Sequence, residues 1–243
     1  MEASALFDSR PVQIAVVGTG TDVGKTHLSV ALLLALAQLG VSAVGLKPVE
    51  SGLGVDPSSD DTSDTSRLAA AGTFHVKHSA PYRFPDPVSP HLAARRAGLE
   101  IVPARIVAWV AECAAPWTVV ETAGGLLSPL APSFTNLDLV QLLAPDVVVL
   151  VGVDRLGVLH DVAACRLALT TLSPTLPEAH VVLQAPAVSD SSTGTNAEEL
   201  CFLALASAVT VIPRGLATDQ SVRQATLALV ARIQARRVAE RFT

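Results

Sequence analysis

The strongest chemical signal in the chain is Gly18-Thr-Gly-Thr-Asp-Val-Gly-Lys-Thr26, which follows the apolar run from Gln13 to Val17 and opens a long apolar stretch. Backbone N–H groups of such a turn and of the helix start behind it form a nest for phosphate oxygens. Gly20, Thr21, Asp22, Val23 and Gly24 line the turn, Lys25 supplies positive charge, and Thr26 brings a hydroxyl suited to a Mg²⁺ shell. The strict G-x-x-x-x-G-K-[ST] spacing requires glycine at position 19. Here that residue is Thr19, and five residues separate Gly18 from Gly24.

A triphosphate site of this kind also needs an acidic group near the metal, at the end of a neighbouring strand. Two apolar runs end in one: Trp117-Thr-Val-Val-Glu121 and Val147-Val-Val-Leu-Val-Gly-Val-Asp154. Glu121 is the better placed, because it leads into Thr122-Ala-Gly-Gly125, a turn suited to face a ligand; Asp154 serves equally as a cap for the following helix. Lys47, in Leu46-Lys-Pro-Val-Glu-Ser-Gly52, ends another strand on the edge where open α/β sheets bind ligands. From Gly52 to Pro90 the chain is rich in Asp, Ser, Pro and His, with Asp56, Asp60, Asp61 and Asp64 close together. A loop of that length in a compact fold is usually functional.

The elements that must position these groups follow from the pattern of the rest. Short apolar runs predict buried strands at Gln13–Val17, Ala43–Leu46, Thr118–Val120, Val147–Val151, His180–Leu183 and Val209–Ile212. Helices are predicted at Lys25–Leu39, Thr62–Ala71, Pro90–Ala97, Pro103–Ala114, Leu137–Leu143, Val158–Leu169, Asn196–Ala206 and Asp219–Arg236, several opened by proline or stopped by glycine. The alternation predicts an α/β, P-loop NTPase-like fold: a mostly parallel sheet with helices on both faces, in one domain over residues 1–243, with 1–11 as an N-terminal extension.

The 243 residues carry 17 Lys plus Arg against 22 Asp plus Glu, a net charge of −5, which speaks against nucleic acid as the main partner. Half of the residues are hydrophobic, enough to bury a core, yet no apolar stretch approaches the roughly 20 residues that span a bilayer. The first residues lack the apolar segment of a secretory signal, so the expected location is the cytoplasm. Cys113, Cys165 and Cys201 are widely spaced and read as small core residues. The basic C-terminal segment from Arg223 to Arg241 is expected to pack one face on the sheet, its arginines complementing the helix dipole, rather than lie on a membrane.

Taken in order, Gly18 to Thr26, Lys47-Pro-Val-Glu-Ser-Gly52, Pro81-Tyr-Arg-Phe-Pro-Asp-Pro-Val-Ser-Pro-His91 and Glu121-Thr-Ala-Gly-Gly125 resemble the dethiobiotin synthetase family. The resemblance runs from about Ile14 to Pro213, and the five-residue gap in the turn is normal there. It implies an ATP- and Mg²⁺-dependent ligase that forms a cyclic urea from 7,8-diaminopelargonate and CO₂, acting as a homodimer. Lys25 and Thr26 would hold the phosphates and Mg²⁺, with Glu121 and an aspartate of the acidic loop completing the metal shell. Asp61 fits that aspartate best, six residues before Arg67, with Asp60 and Asp64 as alternatives. Lys47 would be catalytic beside Lys25. Ser51, Thr122, Gly124 and His160 would face the substrate, and Gln184 and Pro213 the nucleotide.

Three positions depart from the family pattern. Thr122 replaces a glycine and is expected to place a Cβ and hydroxyl beside the substrate as a tolerated variant. Gln184-Ala185-Pro186 stands where relatives carry an Asn-Asp pair for the base. His160 stands where an Asn often meets the substrate carboxylate, and it either serves that anion or sits in a helix start. His91, after Ser89 and Pro90, reads as a helix opener. The rival reading is a P-loop ATPase switch of the partition or septum-positioning type, but those proteins place a lysine where this chain has Gly20. A second rival is a nucleotide-binding relative without catalysis.

Overall fold

A computed structural model describes residues 10–54, 63–76 and 79–239. Its strands are β1 (Val12–Gly18), β2 (Ala43–Leu46), β3 (Val49–Ser51), β4 (Tyr82–Phe84), β5 (Trp117–Glu121), β6 (Pro129–Ala131), β7 (Phe134–Thr135), β8 (Val147–Val153), β9 (His180–Gln184) and β10 (Val209–Ile212). Its helices are α1 (Lys25–Gln38), α2 (Asp64–Ala71), α3 (Pro90–Arg96), α4 (Pro103–Glu112), α5 (Asn136–Leu143), α6 (Val158–Leu172), α7 (Asn196–Phe202) and α8 (Gln220–Ala239). All six expected strands and all eight expected helices are present, with ends shifted by a few residues.

The main sheet is parallel and six-stranded, in the order β10-β9-β8-β1-β5-β2. The central strand β1 pairs Ile14 with Val119 of β5 on one side and with Val147 of β8 on the other. Because side chains alternate along a strand, Ile14 and Val16 enter one core cluster and Ala15 and Val17 the other. On the first face, Leu28, Leu32, Leu33 and Leu36 of α1 are fully buried with Leu229, Val230 and Ile233 of α8. Each such side chain contributes about 1.5–3 kcal/mol through removal of apolar surface from water. On the second face, α5, α6 and α7 supply Leu137, Val162 and Leu200. A third cluster, with Ile106 and Trp109 of α4, covers the β2 end.

The sequence pattern does not reveal two small ribbons. Strands β3 and β4 pair in parallel, and β6 pairs with β7 antiparallel. Both consist of two or three residues in Pro- or Ser-containing segments, too short to show periodicity. Cys113 and Cys165 are buried as expected, whereas Cys201 is exposed on α7. As expected, α8 packs one face on the core and carries Arg236 and Arg237 in its last turn. Its arginines also tie the helix to its surroundings: Arg236 donates to Glu178 at 2.7 Å and Arg232 to the Val209 carbonyl of β10 at 3.0 Å. No helix among the described residues is long and apolar enough to cross a membrane.

These arginines surround His180 at the start of β9. Burial, with Arg236 and Arg232 outweighing Glu178, pushes its imidazole down from 6.5 to about 4. The unfolded chain therefore takes up a proton as the pH falls through 6.5, while the folded protein resists until about 4. Stability is full above that window and declines through it. Urea unfolding of His180→Gln at a series of pH values is expected to show a flatter decline between pH 6.5 and 4 than the parent; identical slopes would remove His180 as a cause.

Candidate active site

The C-terminal ends of parallel strands point the same way, so the loops after β1, β2, β5, β8, β9 and β10 gather along one edge. The loop after β1 reaches its shape through two left-handed residues, Asp22 at φ 56° and Gly24 at φ 89°. Gly24 is the residue before α1. It must be glycine on two counts: the positive φ, and the 2.8 Å that would separate an added Cβ from Cγ of Gln184. Val23 is buried in the core beneath the loop, which anchors it. Lys25 turns its Nζ back to the Gly20 carbonyl at 3.0 Å.

Four of the expected residues converge at the mouth of this loop. Glu121, fully buried at the end of β5, accepts through Oε1 from the Thr26 hydroxyl at 2.7 Å and from Lys47 Nζ at 2.8 Å. Lys47 also pairs with Asp64 of α2. Burial works against the Lys47 ammonium, but Glu121 and Asp64 outweigh it and hold its pKa above the ordinary lysine value. Burial likewise opposes the Asp64 carboxylate, and Lys47, Thr26 and Arg67 together hold it below its usual range. Lys25 moves the other way: burial, reinforced by Lys47, lowers it despite Glu121, Asp22 and Asp64.

These groups line a cavity of about 370 Å³ whose other walls include Thr21, Ser51, Gly124 and Glu50. Ser51 donates its hydroxyl to the Val88 carbonyl at 2.8 Å, joining the β3 ribbon to the Pro-rich segment. Gly124, at φ 80°, leaves no room for a side chain, since an added Cβ would lie 2.8 Å from Ser128 Oγ. A second cavity of about 570 Å³ adjoins the first across Asp22, Gly24 and His27, and holds Gln184 and Pro213. The Gln184 side chain donates to the Gly24 carbonyl at 3.3 Å and faces His27 Nδ1 at 3.2 Å.

Other expectations resolve differently. Asp61, with Asp60, lies outside the described residues; the acidic-segment carboxylate seen at Lys47 is Asp64. Thr122 is buried, and both its N–H and its hydroxyl donate to the Val16 carbonyl, at 3.0 and 3.2 Å. It extends the β5–β1 pairing and faces away from the cavity, which corrects the expectation that its hydroxyl meets substrate. Asp154 caps no following helix: it accepts from Gly194 N–H at 2.9 Å and from the Asn196 amide at 2.7 Å, fixing the loop before α7. His160 is exposed in the first turn of α6, on a separate cavity of about 480 Å³ shared with Thr21, Gly125 and Ser128. His91 meets Ser89 Oγ at 3.1 Å at the start of α3.

Three residues of the site escaped the sequence reading. Glu50 accepts from the backbone N–H groups of Asp64 at 2.6 Å and Thr65 at 3.2 Å, so it holds the start of α2 against the site. Its only signal was a position between Lys47 and Ser51. His27 and Arg67 also line the first cavity.

The donor set fits a hard divalent cation. Thr26 and two carboxylates share the mouth, and Oε2 of Glu121 is buried with no hydrogen-bond partner among the described residues, an oxygen with lone pairs to give. Mg²⁺ characteristically takes one or two carboxylates together with phosphate oxygens. Among the described residues no three His, Cys, Asp or Glu side chains converge as an all-protein cage.

The fold is shared with a ParA family ATPase of Chlorobium tepidum, at a TM-score of 0.52 over 92% of this chain and 93% of that one, with 14% identity. A family model described as an AAA domain matches residues 12–214. The chain is 40% identical over 160 residues to an ATP-dependent dethiobiotin synthetase BioD of a Caulobacter species, covering 63% of this chain and 68% of that protein. It is 35% identical over 222 residues to the BioD of Anaeromyxobacter dehalogenans, covering 90% of this chain and 97% of that one. The chain belongs to the ATP-dependent dethiobiotin synthetase family, a family of ligases.

Proposed function

We propose that this chain carries out the ATP- and Mg²⁺-dependent carboxylation and ring closure of 7,8-diaminopelargonate with CO₂, giving dethiobiotin, ADP and phosphate. The observation that carries this reading is Lys47, a buried ammonium held charged beside the phosphate loop by Glu121 and Asp64. A lysine so held is neither a base nor a nucleophile; it neutralises negative charge on what lies against it.

One substrate amine adds to CO₂ and loses a proton, giving a carbamate. A carbamate oxygen attacks the γ-phosphorus as the bond to the ADP oxygen breaks. The second amine then attacks the carbamoyl carbon, phosphate leaves, and loss of the second proton completes the ring. Lys25 and the backbone N–H groups of residues 20–25 hold the phosphates, while Lys47 holds the carbamate oxygens near the phosphorus, with Ser51 and Gly124 as the substrate wall. Mg²⁺, when bound, offsets phosphate charge, and Thr26, Glu121 and Asp64 would hold it. Positioning and charge neutralisation are what such a transfer demands. The full reading includes one catalytic unit over the whole chain, a cytoplasmic location, and a homodimer whose partner subunit approaches the cavity beside His160.

With MgATP and bicarbonate, phosphate release and a product with the mass of the cyclic urea are expected together, and only with the diamine present. Hydrolysis indifferent to the diamine would instead mark an ATPase switch. Lys25→Ala is expected to weaken nucleotide binding by about ten- to a hundredfold, the worth of a charged hydrogen bond. Lys47→Ala is expected to bind nucleotide within a fewfold of the parent while kcat falls by roughly a hundredfold or more. Unchanged turnover in Lys47→Ala would remove it from the catalytic set.

The same variant leaves Glu121 buried without its principal counter-charge. Urea unfolding should register a loss of about 3 kcal/mol. Most of that loss should return in Lys47→Ala/Glu121→Gln, which removes the stranded charge; equal losses in single and double variants would mean that the pair contributes nothing through its charge.

A further inference from the structure

The second cavity, which holds the Gln184 and Pro213 expected to face the nucleotide, lies between the ends of β9 and β10. Much of its wall is apolar: Val153, Ala185, Pro186, Pro213 and Leu216. Gln184, only 7% exposed, is the buried amide among its described lining residues, and an amide is the side chain best suited to read a base edge through paired donor and acceptor. Asp22 and Arg214, by contrast, are exposed, and Asp219 is engaged with the Leu216 N–H at 2.8 Å.

The Gln184 amide is committed elsewhere. Its Nε2 donates to the Gly24 carbonyl, which already receives the Leu28 N–H at 3.0 Å. That sets the amide orientation and turns Oε1 to His27 Nδ1. The far side of the same ring meets the Gly215 carbonyl through Nε2 at 3.0 Å. A neutral imidazole has one N–H to give: with the proton on Nδ1, His27 donates to Gln184 Oε1 while its Nε2 lies against the Gly215 carbonyl, and in that tautomer the Gln184 amide spends both its donor and its acceptor inside this clasp.

We propose that His27 is a specificity-determining residue: by engaging Gln184 against the phosphate loop it withdraws that amide from the base, so the cavity holds bases by shape and apolar contact with little discrimination among them. The inference rests on the reading of this cavity as the nucleotide site. Its consequence is that removing His27 frees an acceptor, and with a small shift of a 3.3 Å bond a donor, for the base edge. A glutamine amide matches the N6 and N7 positions of adenine, not the corresponding positions of guanine.

The test is calorimetric titration of the full-length protein with MgADP, MgGDP and MgCDP, for the parent, His27→Val, Gln184→Ala and the double variant. The parent is expected to bind the three within about tenfold of one another, and Gln184→Ala to keep those ratios. His27→Val is expected to raise the ADP:GDP affinity ratio by about tenfold, and the double variant to lose that gain. A parent that prefers one base by about a hundredfold and loses the preference in Gln184→Ala would overturn the proposal, since Gln184 would then read the base. Unchanged ratios in His27→Val would overturn it as well. Binding of no nucleotide by the parent would instead overturn the assignment of the site, and the proposal with it.

Discussion

A lysine ammonium at the inner edge of a sheet is a constraint on everything around it. Lys47 is 7% exposed, and taking a charge that far out of water costs several kcal/mol unless partners replace the solvent. The partners come from elements far apart in sequence: Glu121 from the end of β5, and Asp64 from the start of α2. Glu121 in turn receives the hydroxyl of Thr26, which belongs to α1. One carboxylate oxygen therefore ties the phosphate loop, the edge strand and the helix after the acidic segment into a single arrangement. None of these elements can shift without stranding a buried charge.

The short segment after β2 enforces this arrangement from a second direction. Lys47 and Glu50 are three residues apart, and both act on α2: Lys47 on the Asp64 side chain, Glu50 on the backbone N–H groups of Asp64 and Thr65. Ser63, before α2, accepts from Ser66 N–H. A carboxylate at a helix N-terminus meets the positive end of the dipole, so Glu50 gains its partners there from backbone N–H groups. The start of α2 is thereby held at the site through its backbone N–H groups as well as through the Asp64 carboxylate.

That mechanism explains why the fold was more legible than the site. Buried parallel strands announce themselves because both faces are apolar, and Val147 to Val151 reads as a strand from composition alone, within the observed Val147–Val153. Lys25, Thr26, Lys47 and Glu121 were legible because each stands at the junction of an apolar run and a turn. Which of several clustered aspartates meets Lys47 was not: a helix register decides it, and that register depends on Ser63 and Glu50, whose hydrogen bonds leave no periodic trace. Thr122 misled for the opposite reason. It stands in a turn that looks made for a ligand, yet strand pairing runs one residue further than the apolar pattern, and the Val16 carbonyl takes both of its donors.

The two cavities are built on opposite principles, and Gly24 lies where they meet. On the phosphate side, charges are buried and paired, so the site is poised for ligands that carry charge of their own. On the other side, the buried polar groups bond to one another and apolar walls remain. Gly24 serves both: its left-handed backbone starts α1, and its missing side chain lets Gln184 lie flat against the loop, where the Gly24 carbonyl can accept from it. A larger residue there would push Gln184 off the loop and break the clasp with His27. The same glycine that lets the backbone approach phosphate thus also governs how the far wall presents its polar groups, which makes the end of β9 part of the phosphate loop's packing although 160 residues separate them.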